Sequence, residues 1–122
     1  MRLIIGGKAQ GKRDYAAAAY NIDPAQMTGE LSAAKSARLL YGLEEEVARC
    51  LREGVEPETL VEELCEANPD IIIVCRELGC GVVPVERFDR EWRERTGRIC
   101  CELAKKAESV ERVLCGISMR IK

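Results

Sequence analysis

A glycine-rich stretch near the start of the chain has the residue types and spacing of a phosphate-binding loop. Gly6 and Gly11 are separated by four residues, and Lys12 follows directly. The apolar segment 2–7 before it is typical of a buried strand, and the alanine-rich segment 12–20 after it is typical of a helix. Glycines let backbone N–H groups point inward, the helix N-terminus adds partial positive charge, and the lysine reaches the β- and γ-phosphates. We therefore predict a nucleotide-binding loop made of Gly6, Gly7, Lys8, Ala9, Gln10, Gly11, Lys12 and Arg13. The alternative is a strand-to-helix turn whose lysine is only solvated.

The residue after the loop lysine departs from the usual pattern. A Ser or Thr hydroxyl at this position ordinarily ligates Mg²⁺, whereas this chain has Arg13, whose guanidinium offers no lone pair to a cation. Two outcomes follow from that exchange. Either Arg13 contacts phosphate and stands in for part of the metal's charge, which gives metal-independent binding. Or Arg13 points to solvent and the metal is held only by phosphate and water, which gives a poor catalyst.

A second group of candidate residues follows the segment IIIVC (71–75), which is β-branched and continuous as expected for a strand covered on both faces. Ligands of parallel α/β sheets lie beyond the carboxyl ends of the strands, so the loop 76–84 should share an edge with the phosphate loop. Glu77 in that loop is a candidate to hold Mg²⁺ through water or to act as a general base. The alternative is an exposed loop carboxylate beside Arg76. Lys12 and Glu77 are therefore the predicted catalytic residues.

The remaining elements must position these two loops. Apolar residues recur at helical spacing from 33 to 53, a further helix begins near Pro57, and a charged helix spans 87–107. Segment 21–32 is a loop or a poorly formed strand, and 110–117 is a closing strand. This alternation predicts an α/β fold, a small parallel sheet flanked by helices of the phosphate-loop nucleotide-binding type. At 122 residues, the chain is expected to form one domain, 1–122.

Composition excludes several functional classes. A net charge of −2 gives no general attraction to nucleic acid or to an anionic membrane, and the apolar runs are too short to span a bilayer. The chain has seven Cys, no CxxC pair and no His, so a zinc site is not expected. We expect a cytoplasmic protein in which most thiols are reduced and buried.

Three stretches resemble the bifunctional adenosylcobinamide kinase/adenosylcobinamide-phosphate guanylyltransferase family of cobalamin biosynthesis. They are IIGGKAQGKRDYA, IIIVCRELGCGVVPVERFDREWRERTGR and VERVLCGISMRIK. The first is similar to that family's phosphate loop, the second to its loop glutamate, Gly-x-Val-Pro turn and helix-end arginine, and the third to its closing strand and tail. The resemblance assigns Glu77 to the loop glutamate and Arg98 to the helix-end arginine, with Gly79, Gly81 and Pro84 in the turn.

The resemblance implies a parallel nucleotide-binding fold that uses GTP or ATP with Mg²⁺, takes a cobinamide-type small molecule as substrate and assembles as a homo-oligomer, usually a trimer. The family phosphorylates a hydroxyl of the substrate and then transfers GMP through a guanylylated histidine. Without any histidine, this chain cannot form that intermediate in the usual way. Nor does the sequence display a separate apolar strand ending in Asp, the usual magnesium-binding element. Nucleotide binding is thus the expected function, kinase activity stays open, and an inactive nucleotide-binding or scaffold protein is the alternative.

Overall fold

The computed structural model describes all of residues 1–122. Its strands are β1 (Arg2–Gly6), β2 (Met27–Thr28), β3 (Leu39–Leu40), β4 (Ile72–Arg76), β5 (Ser109–Leu114) and β6 (Ile117–Arg120). Its helices are α1 (Lys12–Ala19), α2 (Leu43–Glu53), α3 (Pro57–Ala67) and α4 (Arg87–Lys106), with short 3₁₀ turns at Pro24–Gln26 and Ala34–Ser36. The strands form one sheet in the order β2-β3-β4-β1-β5-β6. Five strands are parallel and β6 is antiparallel at one edge, so the predicted α/β class is confirmed.

The centre of the sheet is β1, which pairs with β4 on one side and β5 on the other. Leu3 lies opposite both Ile73 and Val110. All three side chains are at most 5% exposed, because helices cover this part of the sheet. This double coverage explains why β1 and β4 are continuous apolar runs instead of alternating ones.

Two apolar layers lie on opposite faces of the sheet. One packs beneath α2, α3 and α4 and contains Leu3, Leu40, Leu43, Val47, Val61, Leu64, Ile71, Ile73, Ile99 and Leu103, among others. The other packs beneath α1 and contains Ile4, Ala16, Ile22, Leu39, Ile72, Val74 and Val113. Adjacent residues of one strand thus serve different layers, as the pleat requires. None of the helices combines the length and the apolar character that crossing a bilayer demands.

The predicted helix over 33–53 is wrong in its first part. Leu39 and Leu40 form β3 between β2 and β4, and the helix begins only at Leu43. Gly42 separates the two elements with a left-handed φ of 68°, a conformation that an ordinary helix interior does not contain. Both leucines are fully buried, one on each face of the sheet, so tertiary burial overrides the helical spacing.

The predicted closing strand over 110–117 is two strands. Cys115 and Gly116 have positive φ values of 51° and 76°, and the chain reverses there into β6. Positive φ at both central residues is the signature of a tight two-residue hairpin turn. The hairpin brings this turn beside the phosphate loop, which a single straight strand would not do.

The expectation that most thiols are buried is also wrong. All seven cysteines are free, but only Cys50 and Cys75 are buried. Cys65 and Cys100 are half-buried, and Cys80, Cys101 and Cys115 are exposed. Cys80 and Cys115 lie at turns, and Cys101 borders the groove between α3 and α4. Apolar neighbours in the sequence therefore do not guarantee that a thiol is buried.

A buried carboxylate ties α1 to the sheet. Glu111 of β5 is 7% exposed and accepts hydrogen bonds from the hydroxyls of Tyr15 and Tyr20. Burial, with the hydrogen bond to Glu111, raises the pKa of Tyr20 to about 12. The hydrogen bond to Glu111 also raises the pKa of Tyr15. The neutral tyrosines are therefore favoured by folding.

This arrangement predicts a loss of stability in strong alkali. Tyrosine ionises near pH 10 in an unfolded chain, roughly two units below Tyr20 in the folded protein. The stabilisation is therefore complete below about pH 10 and disappears as the pH rises towards 12. Unfolding free energies measured in urea across this range should fall more steeply for the parent protein than for Tyr20→Phe. Equal slopes for the two proteins would contradict the role given to Tyr20.

Candidate functional site

The phosphate-loop segment, residues 6–12, joins β1 to α1 and is fastened to the β5–β6 hairpin. Gln10 accepts a hydrogen bond at Oε1 from the Cys115 N–H at 2.7 Å, and its carbonyl accepts one from the Gly116 N–H at 2.8 Å. Gly11 has a left-handed φ of 81°, and a Cβ there would lie 3.4 Å from the Gly116 Cα. The left-handed conformation favours glycine at this position, and the Gly116 backbone lies in van der Waals contact with it. The loop is therefore a structured connection that is hydrogen-bonded to the β5–β6 hairpin.

Lys12 is the first residue of α1, at the helix end where backbone N–H groups lack intrahelical partners. Its ammonium folds back over the loop and donates to the Gly7 carbonyl at 2.5 Å. Burial lowers the pKa of Lys12, and the nearby carboxylate of Glu44 opposes that shift. A partly desolvated cation at a helix N-terminus is an arrangement that attracts an anion.

A cleft of about 300 Å³ opens beside the loop. Its walls come from the second half of the loop, the start of α1, the end of β3 and the start of α2. The lining residues are Ala9, Gln10, Gly11, Lys12, Arg13, Asp14, Tyr41, Gly42, Glu44 and Val74. Of the predicted nucleotide-binding residues, Gly6, Gly7 and Lys8 do not line this cleft.

Glu44 and Tyr41 line the cleft, although the sequence did not indicate either as a site residue. Glu44 is 8% exposed, and its Oε2 accepts the Arg76 N–H at 2.9 Å, which joins α2 to the end of β4. Its own carbonyl accepts the indole N–H of Trp92 at 2.6 Å. In the sequence, Glu44 is the first of three successive glutamates, and nothing in the local pattern distinguishes it from the other two. Gly42, as a helix start signal, could have placed it in the first turn of α2.

Arg13 also lines the cleft. Its guanidinium carbon sits 5.1 Å from the centre of the Tyr41 ring, within the range of a cation–π contact. Tyr41 directly follows β3, and its backbone N–H donates to the Thr28 carbonyl at 2.9 Å. Gly29 packs closely against the same ring, since a Cβ there would approach Cε2 of Tyr41 to 3.0 Å. Tyr41 is thus packed between strand-side backbone and Arg13.

Glu77 lies beside the beginning of the phosphate loop but outside the cleft that contains Lys12. Its N–H donates to the Gly6 carbonyl at 2.9 Å. Its carboxylate forms an ion pair with Arg112 of β5, with Nε and Oε1 3.1 Å apart. Glu77 lines a smaller cleft of about 240 Å³ under the β4–α4 loop, together with Cys80 and others. A bound cation would have to compete with Arg112 for this carboxylate.

The residues of the second resembling stretch lie further from the loop. Arg93 of α4 donates to the carbonyls of Gly79 and Val82 at 2.7 and 3.2 Å, and so shapes the turn that contains Gly81 and Pro84. Arg98 pairs with Glu94 on the exposed side of α4 and borders a groove between α3 and α4. Arg98 is therefore not brought together with Lys12 within this chain.

With the geometry established, comparison with known proteins identifies the family. The family model described as cobinamide kinase / cobinamide phosphate guanyltransferase matches residues 37–121, more than half of the chain. The chain belongs to this family. The earlier resemblance is thereby confirmed, although the matched range begins after the phosphate loop. The assignment of the loop consequently depends on its own sequence and geometry.

Two curated relatives in the cobinamide kinase family are similar over shorter segments. The bifunctional adenosylcobalamin biosynthesis protein CobU of Escherichia coli is 33% identical over 69 residues, covering 57% of this chain and 38% of that protein. Its namesake from Salmonella typhimurium is 37% identical over 59 residues, covering 48% of this chain and 33% of that protein. The matched segments thus span only about a third of each relative's length.

Proposed function

We propose that this member of the cobinamide kinase family binds the phosphates of GTP or ATP at residues 6–12. The observation that carries the proposal is the junction of β1, loop and α1. Its left-handed Gly11 is fixed against the hairpin, and Lys12 stands at the helix N-terminus beside an open cleft. On binding, Lys12 exchanges the Gly7 carbonyl for phosphate oxygens, and the first N–H groups of α1 donate to the same phosphates. Family membership supports the same function.

The reaction that fits this site is phosphoryl transfer to a hydroxyl of a cobinamide-type small molecule. The hydroxyl oxygen bonds to the γ-phosphorus while the bond from that phosphorus to the β–γ bridging oxygen breaks, and the nucleoside diphosphate leaves. Lys12 stabilises the negative charge on the phosphoryl oxygens. Glu44 faces the same cleft and accepts the hydroxyl proton. Glu77, which the sequence predicts as a general base, is paired with Arg112 and serves to position the loop.

Guanylyl transfer through histidine is not part of the proposal, because the chain has none. A second candidate is a nucleotide-binding scaffold without catalysis, which the arginine at the position of the usual loop hydroxyl favours. In either case we propose a cytoplasmic homo-oligomer, trimeric by family resemblance. The exposed apolar side chains of the hairpin and tail support an assembled state, namely Leu114, Ile117, Met119 and Ile121, which are 58–74% exposed.

The proposal is tested by titrating GTP and ATP calorimetrically into the protein, with GMP as a ligand that lacks the β- and γ-phosphates. We expect at least one triphosphate to bind and GMP to bind more weakly, since the loop contacts lie at the terminal phosphates. Equal affinity for GMP and GTP would place the binding energy elsewhere. If neither GTP nor ATP gave a measurable heat of binding, nucleotide binding would be refuted altogether.

Transfer of a labelled γ-phosphate to adenosylcobinamide then separates the two candidates. Product formation that is lost in Glu44→Gln, with nucleotide binding retained, supports the kinase and the role of Glu44. Nucleotide binding without any transfer supports the scaffold.

A further inference from the structure

The positions that hold Mg²⁺ in phosphate-loop enzymes carry other chemistry in this chain. In those enzymes, the hydroxyl after the loop lysine and an Asp at the end of a nearby strand bind the metal. Here the first position is Arg13. The strand-end residue that borders the cleft is Tyr41, directly after β3. Neither side chain fits a magnesium ion, because a guanidinium has no lone pair and Mg²⁺ prefers carboxylate and water oxygens over a neutral phenol.

The two replacements are in contact with each other. The Arg13 guanidinium lies over the Tyr41 ring at 5.1 Å, and both side chains line the cleft that Lys12 enters. Arg13 takes part in none of the salt bridges of the molecule, so its N–H donors are available to a ligand. Stacking on the Tyr41 ring restricts the Arg13 side chain and reduces the conformational entropy that it would lose on binding.

The carboxylates of the cleft do not make a substitute metal centre. No group of three or more His, Cys, Asp or Glu side chains is gathered closely enough to hold an ion. Glu44 already uses Oε2 to accept the Arg76 N–H, and it faces the cation of Lys12. Asp14 borders the cleft from the exposed side of α1. Neither of the two positions that usually supply Mg²⁺ ligands therefore carries a suitable side chain in this protein.

We infer that Arg13, held by Tyr41, takes the place of the divalent cation, so that this chain binds a nucleoside triphosphate without Mg²⁺. The inference rests on the proposed nucleotide binding and deepens it. A planar guanidinium donates two parallel hydrogen bonds to phosphate oxygens and neutralises part of their negative charge. Charge neutralisation is one of the effects that a bound Mg²⁺ has on a triphosphate. Lys12 and Arg13 would then grip the phosphate chain from one end of α1.

The test compares affinity for the better-binding triphosphate in EDTA and in Mg²⁺. For the parent protein we expect the two dissociation constants to agree within about threefold. Arg13→Ala should weaken binding in EDTA by about tenfold or more, because a charge-assisted contact is lost. Tyr41→Phe keeps the ring and should bind like the parent, whereas Tyr41→Leu removes the support and should weaken binding in EDTA.

The double variant Arg13→Ser with Tyr41→Asp restores both customary metal positions, and its binding should become dependent on Mg²⁺. Circular dichroism of each variant establishes that it is folded. Binding by the parent protein only when Mg²⁺ is present would overturn the inference while leaving the proposed function intact. A loss of that dependence in Glu44→Gln would then place the metal on Glu44. Failure of the parent to bind in either buffer would overturn the proposed function and this inference together.

Discussion

Replacement of Gly6 with alanine is expected to destabilise the protein and to abolish nucleotide binding. The new Cβ would lie 2.4 Å from the carbonyl oxygen of Val113, a backbone atom of β5 that cannot swing away as a side chain would. Because β1 and β5 are hydrogen-bonded neighbours at the centre of the sheet, relief of the clash must part the strands or displace the loop. We expect a loss of about 1–3 kcal/mol in the free energy of unfolding, as for other overpacked sites.

Gly7→Ala is the matched control. A Cβ at Gly7 has as its nearest neighbour the Cγ of Gln10 at 3.5 Å, which is ordinary van der Waals contact with a movable side chain. Urea unfolding of both variants, followed by triphosphate titration of whichever remain folded, measures the two effects. If Gly6→Ala were as stable as Gly7→Ala, the close approach of β5 to the loop would be refuted.

The part of the site that depends on neighbours in sequence was predictable. β1, the glycine loop and α1 follow one another directly, and each has a strong local signal in apolar continuity, glycine spacing or alanine content. The same holds for β4 and for α3 with Pro57 in its first turn. Interactions between residues close in sequence determine the conformation of these segments, so the fold class could be inferred from them alone.

The short β3 could not be predicted from periodicity. Two leucines are too few to display a period of two, and their spacing to later apolar residues also matches a helix. What decides their conformation is pairing with β2 and β4, which are distant in sequence. The hairpin is different, because Cys115-Gly116 between apolar residues is a recognisable two-residue turn that the interpretation as one strand overlooked.

The composition of the cleft depends on those missed elements. Tyr41 and Glu44 reach the phosphate loop only because β3 ends at the same edge of the sheet as β1 and because Gly42 turns the chain into α2. The sequence shows that Arg13 stands where phosphate loops usually have a hydroxyl residue, but it does not show that Arg13 contacts Tyr41. The Arg13 guanidinium lies over the ring of Tyr41, which is 28 positions away in the chain.

Lys12→Ala is expected to cause the largest loss of affinity of any single substitution in the cleft. The ammonium is the cation that the loop and helix hold nearest to the phosphates, and a hydrogen bond to a charged group is worth about 1.5 kcal/mol or more. Affinity for the triphosphate should therefore fall at least about tenfold. Lys8→Ala removes an exposed lysine from the same loop and lowers the net charge by the same amount as Lys12→Ala. Comparing the two variants therefore separates the effect of the lysine's position from the effect of losing one positive charge.

The pH dependence of binding gives an independent test of the same residue. Burial lowers the pKa of Lys12 in the free protein, so its ammonium deprotonates at a lower pH than that of an ordinary lysine. Phosphate binds the charged form, and affinity should consequently decline as the pH rises through this lowered pKa, an effect that Lys12→Ala should lack. Calorimetric titrations of the parent, Lys8→Ala and Lys12→Ala between neutral and alkaline pH measure it. Lys12 is the side chain that begins α1 and folds back over the glycines of the loop. Equal affinities for the parent and Lys12→Ala at neutral pH would therefore show that the loop does not bind phosphate.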